Sequence, residues 1–313
     1  MRIVLRADAS KDYGSGHVMR SLAILEDFKN RGAEIVYVGK IDRMPWLSAK
    51  IDDFGFNLVV EDESKFEIDA VSDVLLLDSY SINPNSEFIS KIKWKRIIVI
   101  IDELTPDYDG DLFVHPGLDI SWYKHLNRRV LFGANYIPLR KEIKKVAPLN
   151  SKLQILIVAG STNPEYMVEE ISSLIALSKN DFEAKCFNSE VEVSNLDSRF
   201  MNFPIGEDLD FHAQSADLVF TTASTTGLEM IAREIACGMA CAFDNQEQYY
   251  KIITQQNLAQ PIGSLAGTKW NFDSNAIIEL VDSKFLREQL IKNCKDFIDL
   301  NGAKRIVDEI LKL

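Results

Sequence analysis

Short apolar runs alternate with stretches of helical periodicity along the whole chain. Apolar residues recur at intervals of three and four from His17 to Arg31, which predicts an amphipathic helix. Other runs, such as Val74–Asp78 and Ile97–Asp102, are apolar at nearly every position, as in strands that are buried on both faces. Such strands, with helices between them, predict parallel sheets covered by helices on both sides.

The predicted elements fill two similar halves. The predicted strands of the first half are Met1–Leu5, Ile35–Gly39, Leu58–Val60, Val74–Asp78, Ile97–Asp102, Phe113–His115 and Val130–Gly133, with a second helix near Met44–Phe54. The predicted strands of the second half are Leu153–Ala159, Phe182–Phe187, Asp217–Thr221 and Met239–Phe243. The predicted helices there are Pro164–Leu177, Asp210–Ser215, Thr225–Ala236, Gln246–Gln256 and most of Ser283–Leu313, interrupted at Gly302.

The segment Pro138–Lys152 separates these halves. It is basic, contains two prolines and lacks an apolar run, as expected of a linker. We therefore predict an α/β protein of two Rossmann-like domains that face each other across a cleft, with residues 1–140 and 151–313 as the domains. Whether the last helix packs on its own domain or back on the first stays open. The cleft, where the carboxyl ends of the strands meet, is the expected ligand site.

Composition and charge exclude several classes of protein. The 313 residues are 46% hydrophobic and 26% charged, which is the composition of a globular protein. A net charge of -12 argues against nucleic acid and anionic membranes as partners. The sequence has no apolar run that would span a membrane and no signal-peptide core at its N-terminus. The four cysteines have no zinc-site spacing. We expect a cytoplasmic monomer with reduced thiols, no cofactor and no metal.

The loop after the first strand, RADASKDYGSGHVMR, has the strongest chemical pattern. Gly14 and Gly16 permit backbone conformations and close approaches that a Cβ would block. His17 would lie in the first helical turn, where the positive end of the helix favours a neutral imidazole that can accept a proton. Asp8, at the end of the strand, is expected to bond the other ring nitrogen.

Two other functional motifs match this loop less well. A dinucleotide fingerprint would need a third glycine, and Ser15 does not lie in the G-x-S-x-G sequence of a hydrolase nucleophile. From spacing alone, a structural histidine at a helix start explains His17 equally well. We expect structural or solvated roles for the other histidines, none of which is spaced as a metal ligand; they are His115, His125 and His212.

The second half contains a predicted anion site in the stretch DLVFTTASTTGLE. Ser224, Thr225 and Thr226 would offer hydroxyls and helix-start N–H groups to a phosphate or diphosphate. Glu229, about one turn later, would accept hydrogen bonds from a ribose diol. Simple capping of the helix explains the same residues equally well.

Two further strand ends of the second half carry small or amide residues. Asn245 and Gln246 follow a strand, where their amides would cap the next helix or reach phosphate and sugar hydroxyls. Gly160 and Ser161 follow the first strand of this half, and their small size would let a ligand approach the backbone.

Taken together, these segments resemble a known family. The chain resembles the UDP-2,4-diacetamido-2,4,6-trideoxy-β-L-altropyranose hydrolases of pseudaminic acid biosynthesis, to about residue 263. That family is similar in fold to the N-acetylglucosaminyltransferase that makes lipid II, which has the two-domain GT-B architecture. The chain departs from the family pattern at Ala159–Asn163, Ala223 and Ala240, so a sister activity on another UDP-sugar stays open. The matching segments are Arg6–Arg20, Asp78–Tyr80, Ile101–Glu103, Phe132–Arg140, Ala216–Glu229 and Asp244–Gln246.

The resemblance implies hydrolysis of a UDP-sugar at C1, by C–O cleavage with inversion. His17 is implied to activate the water, and UDP is a good leaving group that needs no second acid. The alternatives are a glycosyltransferase that uses an acceptor hydroxyl in place of water and a sugar-nucleotide binding protein without catalysis. The residues predicted to contact substrate are Asp8, Gly14, Ser15, Gly16, Arg20, Asp78, Tyr80, Gly160, Ser161, Ser224, Thr225, Thr226, Glu229, Asn245 and Gln246.

Overall fold

The chain divides into two compact units. A computed structural model describes residues 1–10, 14–125, 127–145, 152–160, 162–189, 192–193, 197–204 and 209–313. The first unit comprises Met1–Lys141 together with Leu300–Leu313, and the second comprises Glu142–Asp299. The last segment of the chain therefore belongs to the first unit.

A parallel sheet forms the centre of the first unit. Among the described residues it has seven strands in the order β5-β3-β1-β6-β7-β8-β9. Each of the seven corresponds to a predicted apolar run, so this part of the prediction is confirmed. A short pair of strands, β2 (Ala9–Ser10) and β4 (Ile41–Asp42), follows β1 and β3. The strands of the large sheet are β1 (Arg2–Ala7), β3 (Glu34–Val38), β5 (Leu58–Val60), β6 (Asp73–Asp78), β7 (Arg96–Ile100), β8 (Leu112–Val114) and β9 (Val130–Leu131).

The described part of this unit has three α-helices, α1 (Gly16–Asn30), α2 (Pro45–Phe54) and α9 (Gly302–Ile310). The side chains of α1, α2 and α9 share one buried apolar cluster with one face of the sheet. The sequence suggested that Gly302 interrupts a helix. In the structure, Gly302 is instead the first residue of α9. A Cβ there would lie 2.0 Å from the carbonyl oxygen of Ile137, so only glycine allows this approach.

The second unit is built on another seven-stranded sheet within the described residues. Six strands are parallel, and the last runs antiparallel at one edge. The sheet has the order β12-β11-β10-β13-β14-β15-β16. Its strands are β10 (Leu153–Val158), β11 (Phe182–Phe187), β12 (Phe200–Phe203), β13 (Leu218–Thr222), β14 (Ala236–Cys241), β15 (Gln260–Ala266) and β16 (Lys269–Phe272). Its helices are α3 (Met167–Ile175), α4 (Leu209–Ala213), α5 (Thr225–Ala232), α6 (Glu247–Gln255), α7 (Ser274–Asp282) and α8 (Lys284–Cys294).

The prediction of a helix over residues 225–236 is wrong at the C-terminal end of that helix. The helix α5 stops at Ala232, and β14 begins at Ala236, earlier than predicted. Glu234, between them, has a φ of 61°, a left-handed conformation that ends the helix. The start of β14 was hard to recognise in the sequence because β14 contains Gly238. A Cβ at this position would lie 2.7 Å from the Phe220 ring.

The helix predicted over residues 164–177 is also shorter than expected. Glu165 and Tyr166 have φ values of 45° and 57°, so a separate turn precedes α3, which begins at Met167. The four cysteines are buried with free thiols, as expected of residues that pack as small hydrophobes. Among the described residues, no helix has the length and apolar character needed to cross a membrane.

Candidate functional site

His17 lies at the start of α1, just after the glycine-containing turn. The helix begins at Gly16, and Gly14 adopts a φ of 77°, which glycine tolerates at no steric cost. Ser15 occupies the N-cap position without a side-chain capping bond. The predicted place of His17 in the first turn is confirmed, and its side chain is only 8% exposed.

The partner of His17 is Asp78, at the end of β6. Its Oδ1 lies 2.5 Å from Nδ1 of His17. An ionised carboxylate only accepts hydrogen bonds, so Nδ1 carries the proton and Nε2 presents a lone pair. Among the described residues, Nε2 has no hydrogen-bond partner. This ring nitrogen is therefore available to accept a proton from a ligand.

Asp8 does not bond His17, which corrects the expectation from the sequence. Asp8 instead pairs with Arg6 at 2.8 Å and accepts hydrogen bonds from Ser81 Oγ and the Lys40 backbone N–H. Burial alone would raise the pKa of Asp8, but the charge of Arg6 and these hydrogen bonds bring the pKa below its ordinary value. Asp8 thus stabilises the neighbouring strand ends and leaves the imidazole to Asp78.

Arg20 ties two buried carboxylates together. It follows His17 by almost one helical turn, so both side chains lie on the same face of α1. Its guanidinium donates to both oxygens of Asp78 at 2.8 and 2.6 Å and to Asp102 at 3.3 Å. It also lies 3.2 Å from Nδ1 of His17. Arg20 was predicted as a substrate contact, yet its donors face carboxylates of its own domain.

Tyr80 and Asp102 complete the cluster. The Tyr80 hydroxyl donates to Asp102 at 2.5 Å, and its ring packs edge-on against His17 with centroids 4.3 Å apart. Burial, followed by the nearby carboxylates, raises the pKa of Tyr80 well above its usual range despite the opposing charge of Arg20. Tyr80 is therefore a neutral hydrogen-bond donor. From the sequence alone, Asp102 was expected at the edge of the sheet, without these hydrogen-bond partners.

Asp78 is held ionised within this cluster. Burial opposes the ionisation of Asp78, but Arg20, by its charge and hydrogen bonds, and His17, by its hydrogen bond, hold the pKa of Asp78 well below the ordinary value. Asp78 and Asp102 both accept hydrogen bonds from the single guanidinium of Arg20.

Glu103 and His115 lie beside this cluster. Both carboxyl oxygens of Glu103 are buried, and no other described residue forms a hydrogen bond with them. Burial, with Asp102 nearby, raises the pKa of Glu103 despite a hydrogen bond from its own backbone N–H. His115 Nδ1–H donates to the Ile101 carbonyl at 2.9 Å, and burial lowers the pKa of His115. The sequence indicated neither environment, because both depend on how the segments after β7 and β8 fold together.

In the second unit, the predicted anion site begins α5. Thr225 is the first helical residue, and Ser224 is the N-cap, as the sequence suggested. Ser224 makes no side-chain capping bond; its Oγ accepts a hydrogen bond from Thr222 Oγ1 at 3.0 Å. Thr225 and Thr226 are half-buried. The orphan N–H groups of this first turn suit an anion.

Gly227 holds the start of α5 close to the end of β13. A Cβ there would lie 2.8 Å from the carbonyl oxygen of Thr222 and 3.0 Å from the Met239 side chain. Glu229, one turn into α5, is buried. Gly227 is not among the residues predicted from the sequence, although a glycine inside a predicted helix marks such a close approach.

The residues that follow β10 and β14 differ in the hydrogen-bonding groups that they leave available. Asn245 Oδ1 is buried and has no hydrogen-bond partner among the described residues. Gln246 Oε1 accepts from the Ala242 N–H at 2.9 Å, so part of its amide serves the fold. Gly160 adopts a φ of 109°. Ser161 lies outside the described residues.

Within the described part of the chain, no cluster of three or more His, Cys, Asp or Glu side chains is arranged to hold a metal ion.

Solved structures resemble the whole chain, although sequences do not. No protein-family model matches it, and no curated protein shows significant sequence similarity. MurG of Acinetobacter baumannii is 13% identical with a TM-score of 0.58, and the match covers 100% of both chains. The spinosyn forosaminyltransferase SpnP is 11% identical with a TM-score of 0.62, again over 100% of both chains. UGT89C1 of Arabidopsis thaliana, complexed with UDP-L-rhamnose, is 11% identical with a TM-score of 0.66 and covers 99% of this chain and 98% of its own.

The chain has the GT-B fold. The predicted fold class, two Rossmann-like domains of mixed α/β structure, is therefore confirmed. In the first domain of this GT-B chain, the carboxyl ends of β1 and β6 bring together His17 and Asp78. In the second, the end of β13 feeds the start of α5.

Proposed function

We propose that this protein is a glycosyltransferase that uses a nucleotide sugar. In the proposed reaction an acceptor hydroxyl attacks the anomeric carbon of the sugar, and the bond from that carbon to the diphosphate oxygen breaks. His17 accepts the proton of the hydroxyl, and the nucleoside diphosphate leaves with the bonding electrons. The observation that carries the proposal is the buried His17–Asp78 pair, whose free Nε2 can act as the base.

The first domain supplies what a base of this kind needs. Asp78 fixes the tautomer of His17, and the excess negative charge of Asp78 and Asp102 over Arg20 compensates the imidazolium that forms. The neighbouring Tyr80 hydroxyl is already committed to Asp102. His17 is thus the group of this cluster best suited to take a proton from a ligand.

The second domain supplies what the leaving group needs. As the diphosphate departs, negative charge grows on its oxygens, and the N–H groups and hydroxyls at Ser224, Thr225 and Thr226 would stabilise it. Glu229 would accept hydrogen bonds from the ribose hydroxyls. The Asn245 amide oxygen would accept from a sugar hydroxyl, or its NH₂ group would donate to a phosphate oxygen. The known proteins support this choice of ligand, since UGT89C1 is complexed with UDP-L-rhamnose and SpnP is a forosaminyltransferase.

Hydrolysis of the nucleotide sugar is a second candidate function. It is favoured by the sequence Arg6–Arg20, which resembles the hydrolases of pseudaminic acid biosynthesis. The same base would then deprotonate water, and the products would be the free sugar and UDP, with inversion at C1. The two candidates share every residue role and differ in the nucleophile.

The test measures UDP release from a panel of UDP-sugars, including UDP-diacetamido-trideoxyhexoses, in ¹⁸O water. We expect release that depends on an added acceptor and yields an unlabelled glycoside. Steady release without acceptor, with ¹⁸O in the free sugar, would establish the hydrolase instead. UDP binding without turnover under any condition would overturn both candidates. His17→Ala serves as the control for background hydrolysis.

A further inference from the structure

One face of α1 converges on a single carboxylate, that of Asp78. His17, Arg20 and Ser21 stand at positions i, i+3 and i+4 of the helix, so their side chains share one face. All three hydrogen-bond Asp78 at the end of β6, whose side chain has no exposed surface. Ser21 is not among the residues predicted from the sequence, although it completes this set of donors.

Each oxygen of Asp78 takes part in two hydrogen bonds. Oδ1 accepts from His17 Nδ1 at 2.5 Å and from Arg20 Nη2 at 2.6 Å. Oδ2 accepts from Arg20 Nε at 2.8 Å and from Ser21 Oγ at 3.0 Å. A carboxylate by itself turns easily, because its terminal torsion is broad and roughly two-fold. The four bonds together fix the rotation at which Oδ1 faces the imidazole.

Arg20 is fixed in turn by Asp102, which follows β7. The Asp102 Oδ2 accepts from Arg20 Nη2 at 3.3 Å. Its Oδ1 accepts from the Leu104 backbone N–H at 3.2 Å and from Thr105 Oγ1 at 3.1 Å, so this carboxylate is held by its own turn. The guanidinium is planar and its donors form a rigid fork. Arg20 therefore joins the ends of β6 and β7 in one geometry.

Ser21 is too deeply buried to contact a ligand. Its exposed fraction is 0%, and its hydroxyl donates to Asp78. Any effect of Ser21 on turnover must therefore pass through Asp78 or through the packing of α1. A buried serine elsewhere in the chain can separate these two routes.

We propose that Ser21 and Arg20 are positioning residues for the His17 base, an inference that rests on the proposed glycosyl transfer. They hold Asp78 at the rotation that keeps its Oδ1 bonded to Nδ1–H of His17. Because the imidazole is rigid, the bond at Nδ1 also sets the direction of Nε2. A reacting group must be held within about 0.5 Å of its productive position, so a looser Asp78 would slow the reaction.

Two variants loosen Asp78 without removing a charge. Ser21→Ala removes one hydrogen bond to Oδ2, and Arg20→Lys keeps the positive charge but loses the fork that bonds both oxygens. Ser172→Ala is the matched control for Ser21→Ala. Ser172 is likewise fully buried in a helix, α3, and its hydroxyl donates to the Val168 carbonyl at 2.7 Å.

Arg199→Lys is the matched control for Arg20→Lys. The Arg199 guanidinium also bonds a carboxylate through two nitrogens, Nε and Nη2, both of which donate to Oδ2 of Asp197. The measurements are kcat and KM for the UDP-sugar that the wild type turns over fastest. A second measurement, independent of turnover, is the ¹H NMR signal of the His17 Nδ1–H, assigned from its absence in His17→Ala.

We expect Ser21→Ala to lower kcat by about fivefold and Arg20→Lys by about 10–100-fold, the losses that a neutral hydrogen bond and bonds between charged groups imply. KM should stay within about twofold of the wild-type value in both. The Nδ1–H signal should move in both, because its position depends on the length and alignment of the bond to Asp78. Ser172→Ala and Arg199→Lys should keep the wild-type kcat and the wild-type signal.

Two results would overturn the proposal. Wild-type kcat in Ser21→Ala, or an equal loss in Ser172→Ala, would show that Ser21 only packs α1. A raised KM with unchanged kcat in Arg20→Lys would make Arg20 a substrate contact, as the sequence predicted. If Arg20→Lys does not fold, Ser21→Ala decides the question alone.

The NMR signal separates this proposal from the proposed function. A wild-type protein that turns over no UDP-sugar overturns the proposed function, and the signal then decides whether Ser21 and Arg20 position His17. Movement in Ser21→Ala and Arg20→Lys, but not in the controls, would support their positioning role. A signal that stays in place in both variants would overturn it.

Discussion

Nδ1 of His17 lies 2.5 Å from Oδ1 of Asp78, although 61 positions separate the two residues in the sequence. The parallel pairing of β1 with β6 sets Ala7 opposite Asp78, so the end of one strand lies beside the end of the other. The loop from β1 then returns His17 to this edge at the start of α1. One pairing of neighbouring strands thus assembles a base with its orienting carboxylate.

Asp78→Asn should lower kcat by about 10²–10⁴-fold, the usual range for a general base or its orienting partner. The asparagine removes the charge that stabilises the imidazolium and no longer fixes the tautomer of His17. His17→Ala should lose a similar amount, and the double variant little more, because residues that act as a unit are not additive. The measurement is turnover of the nucleotide sugar by each of the three variants.

Asp8→Asn provides the comparison for these variants. Asp8 follows the end of β1, before His17 in the chain, but its partners are Arg6, Ser81 and Lys40. We expect Asp8→Asn to lose far less turnover than Asp78→Asn. UDP affinity should stay at the wild-type level in every variant of this series. Turnover of Asp78→Asn within a few-fold of the wild type would contradict the role given to the pair.

Gly227→Ala should weaken UDP binding by about tenfold, equivalent to about 1.4 kcal/mol. The added Cβ would lie 2.8 Å from the Thr222 carbonyl oxygen, so the start of α5 must move away from β13. The N–H groups at Thr225 and Thr226 would then no longer converge on the diphosphate. Isothermal titration with UDP measures the change.

Gly267→Ala is the control for this substitution. Gly267 adopts a φ of 61°, and the space around its Cβ position is open, so alanine there costs stability through backbone strain alone. It should lower the melting temperature and leave the affinity for UDP unchanged. Equal UDP affinity in Gly227→Ala and the wild type would remove the start of α5 from the binding site.

The seven strands of the large sheet in the first domain were predictable because each is an apolar run, whereas the two-residue strands β2 and β4 were missed. In the second domain β12, β15 and β16 were missed, and for β12 and β15 there is a physical reason. In β12, the polar Asn202 interrupts the apolar run of only four residues, and Met201 is exposed. In β15, Pro261 and Gly263 argue against a strand, yet a Cβ on Gly263 would lie 2.3 Å from the Asn271 carbonyl oxygen. Close pairing with β16 requires that glycine, and no local pattern reveals it.

The site was predictable as far as local geometry determines it. The turn with Gly14 and Gly16 placed His17 at a helix start, and the structure confirms it. The partner of His17 depends on which strands pair, so the sequence favoured Asp8, a close neighbour, over Asp78. Arg20 stays a predicted substrate contact, and nothing local in the sequence showed that two carboxylates would surround its guanidinium.

Gly302→Ala should destabilise the protein by about 1–3 kcal/mol, the usual cost of overpacking. The new Cβ would lie 2.0 Å from the Ile137 carbonyl oxygen, so α9 must move away from the backbone at Ile137. That movement exposes Ile306, Val307 and Ile310, which are buried. Chemical denaturation measures the loss. Lys304→Ala, at an exposed position of the same helix, should change the free energy of unfolding by no more than about 0.5 kcal/mol.

Glu103→Gln should stabilise the protein at about pH 8, with a gain that disappears near pH 4. Burial raises the pKa of Glu103, so the folded protein binds more protons than the unfolded chain between the ordinary pKa of 4.5 and the raised value. The free energy of unfolding therefore falls as pH rises through this window, and glutamine removes that loss. Glu87→Gln is the matched control, because a hydrogen bond from Lys93 lowers the pKa of Glu87 and its charge is favourable when folded. Melting temperatures of both variants across this pH range provide the measurement. A lower melting temperature for Glu103→Gln than for the wild type at about pH 8 would show that the Glu103 carboxylate has a partner in the folded state.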